Sequence, residues 1–515
     1  MKKEDILDDS ELTQPPEKND KEDKTTDIHK GSWMKSVIKN GKWYLMGSIA
    51  TKAMLFFLLP VYTRYLTPDE YGIFNTLNVL AQILPIFISF ALDAAFGRFF
   101  HDYKKDPEKL KTLFSTVYWF VASYGTLMLV LVIFSSQWWL MRAAEVPMYP
   151  YAFLTFLPPL FMQLGGFGLV FLKQSLKSKM TSIVEALGAM TNILVTLPLL
   201  VYWDLGVIAR LLGNVGASGF IFIVMTFYFV RQKILVFRFD KTMLRILLVF
   251  SIPLIPSLAS KWINMLSDRL ILYQYIDMEA VGLYSLAANI AILLLVLQDS
   301  MSQIIQPVSI SGLVNDKERT KAKMADFALM MWIIMTMANL GAFLFSKDVI
   351  TIFAEKSYEN SYIFIPILGF TYVLGSQYRF FSYILQFHKE TGIISRATIS
   401  SAVANVVLNI IFIPIYGAIA APFATVSASL VLLLWIGIAA QKIEPIPMDW
   451  KKLGGIALLY FSATAIGILF LFHAEVTLLN FLLKGIFFIG IALIALKIGN
   501  YIDPMLKYIK DNLRL

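Results

Sequence analysis

The 515-residue chain contains no cysteine. Disulfides, thiolate metal sites and a cysteine nucleophile are therefore excluded. Histidine is nearly as scarce. His29, His101, His388 and His473 stand far apart, with no HxxH or HExxH spacing, which argues against a zinc enzyme. Charge is short as well: 16% of residues are Asp, Glu, Lys or Arg, against roughly a quarter in a soluble protein. No GxxxxGK[ST] run occurs, so ATP is not the expected drive. No GxSxG or paired-carboxylate pattern lies on a polar segment, and no loop is long enough to house a catalytic domain. What fills the chain is apolar. Hydrophobic residues make up 57% and the mean hydropathy is +0.65. One or two soluble cores cannot hide that much apolar surface, because soluble domains split beyond about 250–300 residues and still need a polar shell. The composition is that of a membrane protein, with a net charge of +9 to be explained.

Residues 1–31 differ from the rest. The first 30 hold ten acidic and six basic residues with almost no apolar pattern, the composition of a disordered tail. The tail has no apolar run of the signal-peptide kind. Ser32–Tyr44 mixes Trp, Met, Val and Ile with Lys, as in a short interfacial helix. From about residue 45 the chain becomes a train of apolar segments, each near the roughly 20 residues that span a bilayer. Fourteen are expected, near 45–66, 74–96, 113–135, 150–172, 180–202, 208–230, 245–272, 281–304, 325–346, 362–387, 394–415, 418–440, 453–472 and 477–497. The fold class is thus an all-α polytopic membrane protein. Basic residues divide the loops in two. The tail, the alternate loops and the C-terminal end carry 34 of the 45 Lys and Arg, and the opposite loops hold only Arg64, Arg142, Lys347 and Lys356. By the positive-inside rule both termini are cytoplasmic. Most of the positive charge therefore serves topology, and no nucleic-acid partner is needed to explain it.

The sequence repeats itself. Tyr65-Leu-Thr-Pro-Asp-Glu-Tyr-Gly-Ile-Phe74 matches Tyr275-Ile-Asp-Met-Glu-Ala-Val-Gly-Leu-Tyr284 at an offset of 210, and Gly206-Val-Ile-Ala209 matches Gly417-Ala-Ile-Ala420 at 211. The offset spans six segments, so the halves run in the same direction and are related about an axis along the membrane normal, with a substrate path between them. The expected organisation is a tail (1–31), an N-terminal bundle (32–240), a C-terminal bundle (241–445), and a final region (446–515) holding two extra helices and a cytoplasmic end.

A charge at mid-bilayer costs about 2.5–3.5 kcal/mol even on lenient scales, so intramembrane charges are candidates for function. In the seventh segment Lys261, Asn264 and Asp268 fall at i, i+3 and i+7 on one face, with Arg269 beside them and the helix-breaking Pro253 and Pro256 before them. In the eighth, Asp299, Gln303 and Gln306 form a second stripe. Lys52 lies in the first segment, Asp93 and Arg98 near the end of the second, and Arg379 in the tenth. The functional reading is a cationic cavity. Lys52, Lys261, Arg269, Arg98 and Arg379 contact an anionic headgroup there, Arg bidentately and Lys as a point charge. Asp93, Asp268 and Asp299 pair with those bases or bind a coupling ion, and Asn264, Gln303 and Gln306 supply polar lining. The competing reading is structural: pairs such as Lys261–Asp268 and Asp93–Arg98 that only stabilise packing, and arginines that snorkel to an interface.

The pattern Leu59-Pro-Val-Tyr-Thr-Arg-Tyr-Leu-Thr-Pro-Asp-Glu-Tyr-Gly72 with Asp93-Ala-Ala-Phe-Gly-Arg98-Phe-Phe resembles the opening of polysaccharide repeat-unit flippases of the Wzx type, in the multidrug/oligosaccharidyl-lipid/polysaccharide (MOP) exporter superfamily. Similar resemblance is carried by Ile252-Pro-Leu-Ile-Pro256, Leu266-Ser-Asp-Arg-Leu270, Val281–Ala287 and Asn405-Val-Val-Leu-Asn-Ile-Ile-Phe-Ile-Pro-Ile-Tyr-Gly417. It spans about residues 42–497. The resemblance implies two six-helix bundles in a MATE-like arrangement plus two helices. It also implies alternating access, and turnover of undecaprenyl-diphosphate-linked oligosaccharide across the bacterial plasma membrane, coupled to H+ or Na+ and with no resident cofactor. Its implied partners are that substrate, membrane lipids and the polysaccharide polymerase machinery, around a monomer. Related lipid II flippases carry a sodium site with a carboxylate on the eleventh helix. Here the eleventh segment has no Asp or Glu, so an ion has to use Asp93, Asp268 or Asp299. Two other classes compete. A MATE-type antiporter of cationic drugs requires a carboxylate-dominated pocket, and a membrane enzyme or assembly scaffold requires a large polar loop or surface metal site.

Overall fold

The computed structural model describes residues 58–175, 177–472 and 474–501. Lys52, the tail and the interfacial segment lie outside the described residues. Helices account for nearly all of the described chain: α1 (Leu59–Tyr65), α2 (Pro68–Ala81), α3 (Leu84–Ser89), α4 (Leu92–Tyr103), α5 (Pro107–Phe120), α6 (Thr126–Ala144), α7 (Tyr151–Gln174), α8 (Ser178–Val201), α9 (Gly206–Arg231), α10 (Lys241–Ser251), α11 (Ile255–Tyr275), α12 (Met278–Asn315), α13 (Lys317–Phe353), α14 (Phe364–Phe387), α15 (Thr391–Tyr416), α16 (Ala420–Ile443), α17 (Trp450–Phe470) and α18 (Leu478–Gly499). No strand occurs among them. Helices α2–α4 make one crossing, α5–α6 another and α10–α11 a third. These units follow the second to fourteenth expected segments in order and α1 is the end of the first; among the described residues eleven helical stretches are long and apolar enough to cross a membrane.

Local sequence sets the helix starts. Thr67 and Glu70 form a capping box ahead of Pro68, which supplies a pre-set φ at the first turn of α2. Asp277 caps α12 at the repeat-related position, accepting from the Ala280 N–H. Gly206 and Gly417, the second pair of repeat markers, both adopt left-handed φ, +50° and +70°, where a side chain is disfavoured.

The repeat is therefore a structural one, and it is written into the contact between the halves. A Cβ placed on Gly72 would overlap the Met278 carbonyl oxygen, and one on Gly282 would overlap that of Pro68. Gly72 and Gly282 are repeat partners, as are Pro68 and Met278. Each half thus presents to the other the same close backbone approach, the reciprocal contact of a two-fold axis. Around it Tyr71, Met278, Val281 and Tyr284 join one apolar core with Leu59, Tyr358 and Ile365. The Tyr358 hydroxyl donates to the Leu66 carbonyl at 2.9 Å. Asn289 donates to the Tyr71 hydroxyl, also at 2.9 Å.

The sequence boundary at 240/241 does not coincide with a break in packing. Met243 and Leu247 of α10 lie in the N-terminal core with Leu113 and Phe229, and Phe250 meets Phe99 edge-on at 5.8 Å. After the 3-10 turn at Ile252–Leu254 the chain continues as α11, which packs against α15. Pro253 and Pro256 remove two helical N–H donors at the joint. The seventh crossing is thus shared between the halves. A second break divides the second crossing, where Phe90 and Ala91 both take left-handed φ, 49° and 58°. Helices α17 and α18 lie against α13, and Asn339 of α13 donates to the Tyr460 hydroxyl of α17 at 2.7 Å.

Candidate functional site: a buried carboxylate hub and an amide-lined cavity

Asp268 is 2% exposed. A lone carboxylate taken out of water is costly unless its oxygens accept hydrogen bonds, and here three neighbouring helices supply donors. Asn409 of α15 donates from Nδ2 to Oδ1 at 2.6 Å. Thr425 of α16 donates from Oγ1 to Oδ2 at 2.9 Å. The Tyr284 hydroxyl of α12 donates to Oδ2 in a very short hydrogen bond. Asn405, one turn before Asn409, ties the second shell: its Oδ1 accepts from Ser267 Oγ at 2.6 Å and from Asn409 Nδ2 at 3.2 Å, and its Nδ2 donates to Thr425 Oγ1 at 3.3 Å. The Asn409 Oδ1 is buried and has no hydrogen-bond partner among the described residues. The hub is one carboxylate whose two oxygens both accept hydrogen bonds from neutral side chains. No cluster of three His, Asp or Glu side chains occurs among the described residues.

The other sequence candidates fall in different places. Arg269 is buried beside the hub, its guanidinium carbon 5.7 Å from the Tyr284 ring centre. Asn264, one turn before Asp268, has a buried Oδ1 with no partner among the described residues. The side chains of Lys261 and Gln303 lie outside the described residues. Asp299 and Arg379, singled out separately for ion pairing and for headgroup binding, form one ion pair at 2.6 Å between α12 and α14. Gln306 donates to Gln386 at 3.2 Å on the same pair of helices. Arg98 is half-exposed and pairs with Asp102 at 2.7 Å rather than with Asp93, which is itself exposed. Neither reaches the hub. Glu185 pairs with Lys173 at 2.9 Å.

Tyr284, Asn405, Asn409 and Thr425 were missed as site residues. A search for acids on the eleventh segment passed over two asparagines spaced i, i+4 on an otherwise apolar helix, and that spacing puts them on one face. The Lys484–Asp348 pair was also missed. It joins α18 to α13 at 2.5 Å, with both side chains buried.

The N-terminal half contains a different feature, a cavity of about 610 Å³ between the second crossing and α7, α8 and α9. Its wall is mostly apolar, with Asn78, Gln82, Thr155, Gln163, Glu185, Asn214 and Ser218 as the polar side chains.

A model of the family described as "Polysaccharide biosynthesis protein" matches residues 37–311, more than half of the chain. Two Haemophilus influenzae proteins are similar. One, named Lsg locus putative protein 1, is 22% identical over 72% of this chain and 90% of its own length. The other, an uncharacterized membrane protein, is 22% identical over 71% and 88%. Among solved structures, the lipid II flippase MurJ in an inward closed conformation aligns with a TM-score of 0.65 at 17% identity, covering 87% of this chain and 99% of that one. An inward-facing multidrug resistance MATE family transporter of the MOP superfamily aligns at 0.59 and 14% identity, covering 78% and 99%. At these identities the structural likeness concerns the fold.

Proposed function

The chain belongs to the polysaccharide biosynthesis protein family, and from that premise we propose that it turns undecaprenyl-diphosphate-linked oligosaccharide repeat units across the bacterial plasma membrane by alternating access. It is a transporter rather than an enzyme. The observation that carries the reading is the Asp268 hub, a buried carboxylate of α11 that accepts hydrogen bonds from three other helices in a two-bundle carrier fold. A monovalent cation, sodium or a proton, neutralises that carboxylate and draws α11, α12, α15 and α16 together. Because α11 continues through a proline-broken joint into α10, which packs on the other half, a change at the hub reaches both bundles. That continuity supplies the two-state element that ion coupling requires. Lys52, Lys261 and Arg269 are assigned to the substrate diphosphate. The Asp299–Arg379 pair is assigned to holding α12 against α14.

A MATE-type drug antiporter is the alternative. It needs an acidic pocket for cations, whereas the single carboxylate lining the N-terminal cavity, Glu185, is already paired with Lys173. The decisive measurement is the lipid fraction of cells deleted for the chain. Undecaprenyl-diphosphate-linked oligosaccharide accumulates there, and Lys52→Ala or Lys261→Ala fails to clear it while still inserting. Wild-type lipid pools in the deletion strain would overturn the assignment.

A further inference from the structure

Resting on the flippase reading, we propose that the cavity of the N-terminal half is the saccharide subsite, holding the sugar head of the substrate by uncharged contacts while the diphosphate is held elsewhere. At about 610 Å³ the cavity falls within the ~300–1,000 Å³ of small-molecule sites. Its lining carries side-chain amides from three separate crossings: Asn78 and Gln82, Gln163, and Asn214. An amide offers both donors and acceptors, which is what a polyhydroxylated ligand needs and a phosphate does not. Asn214 is positioned by Asn192, whose Nδ2 donates to its Oδ1 at 3.0 Å, so the Asn214 NH₂ is left to donate into the cavity.

The backbone adds acceptors. Pro158 and Pro159 lie inside α7 and Pro85 lies near the start of α3. Having no N–H, they cannot close the i→i+4 bonds to the carbonyls of Leu154, Thr155 and Ala81. All three of those residues line the cavity. Carbonyls that lose their i+4 partner are tolerated within apolar surroundings where they border a cavity that a polar ligand or water fills. Thr155 points the same way. It is 2% exposed and its hydroxyl has no hydrogen-bond partner among the described residues. The single ionic group, Glu185, is neutralised by Lys173. Neutral donors and acceptors thus collect where no phosphate-binding base lines the wall.

The absence of cysteine makes the test clean. Gln163→Cys or Asn214→Cys is introduced singly and its alkylation rate followed in membrane vesicles. Undecaprenyl-diphosphate-linked oligosaccharide, extracted from cells deleted for the chain, slows labelling at least fivefold, whereas undecaprenyl diphosphate without sugar does not. The Gln163→Leu/Asn214→Leu variant, checked for normal insertion, loses export of the oligosaccharide. Equal protection by the sugar-free lipid, or wild-type export by the double variant, overturns the saccharide subsite and leaves the flippase reading standing. If the deletion strain accumulates no lipid-linked sugar at all, the flippase reading fails and the subsite fails with it.

Discussion

The two halves of this protein share a scaffold and have opposite polar interiors. In the C-terminal half Asp268, Tyr284, Asn405, Asn409 and Thr425 are turned on one another and fill the space between four helices. In the N-terminal half Asn78, Gln82, Gln163 and Asn214 surround a cavity. The 211-residue offset marked by Gly206 and Gly417 carries Thr425 onto Asn214, so one position of the repeat serves the carboxylate hub in one half and the amide cavity in the other. Duplication preserved what sets backbone geometry: the capped starts of α2 and α12, the left-handed glycines and the reciprocal contact of Gly72 and Gly282. It left the intramembrane side chains free to diverge. A scaffold with one saturated half and one open half can respond to an ion on one side and to a sugar on the other.

The sharpest way to break that comparison is to remove the hub charge. Asp268→Asn keeps the shape and abolishes the carboxylate. Export is expected to fall by about 5–150-fold, the usual span of a coupling free energy, with alkylation at Gln163→Cys still protected by substrate. Normal ion-driven export in Asp268→Asn, measured in proteoliposomes, would erase the distinction between the halves. The second test is the buried pair that fastens the appended helix α18 to α13 of the C-terminal half. Lys484→Met strands the Asp348 carboxylate, 2% exposed, and is expected to cost about 3–5 kcal/mol. Adding Asp348→Leu should recover most of that loss in a thermal-unfolding cycle. If the double variant is no better than the single one, the pair is not the fastening. The reciprocal glycines come third. Gly282→Val and Gly72→Val each push a side chain into the opposing backbone and should each cost about 1–3 kcal/mol, as overpacking does. The two-fold reading requires comparable losses, and a large loss in one variant only would show that the halves do not meet symmetrically.

These tests also measure what the sequence made legible. The helix train, the parallel repeat and the presence of an acid at 268 within an apolar segment could be read directly, because hydropathy, offset and a charge in an apolar run are all local or periodic signals. The partners of Asp268 could not. Asn405 and Asn409 lie about 140 residues away, and nothing in an apolar helix says which neighbour its amides face. The groups that bond Asp268 are neutral, so a charge pattern does not reveal them. Arg98 failed for the opposite reason: Asp102, a full turn away, offers it a local i,i+4 partner. The cavity was invisible because it is made of commonplace amides and three prolines whose effect depends on which way their freed carbonyls face.

The smallest expected effect concerns the positively charged end of the bundles. Glu444, in the connection after α16, accepts from Lys321 at 2.8 Å and closely pairs with Lys317, while His388 Nε2 lies 3.7 Å away. These lysines hold its carboxyl below the ordinary range. A carboxylate with a depressed folded-state pKa stabilises above its unfolded pKa, and that stabilisation is lost as the pH falls through the folded value. Glu444 should therefore contribute fully at neutral pH and fade below about pH 4. The corresponding link in the N-terminal half, Glu108 with Lys111 and Arg238, is more than half exposed at the acid, where solvent screening leaves exposed pairs little net worth. Glu444→Gln should lower the unfolding temperature at pH 7 by an amount that shrinks progressively as the pH falls below about 4, whereas Glu108→Gln should move it little at any pH. Equal shifts in the two variants would show that these ends of the halves are held alike and would confine their asymmetry to the apolar interior.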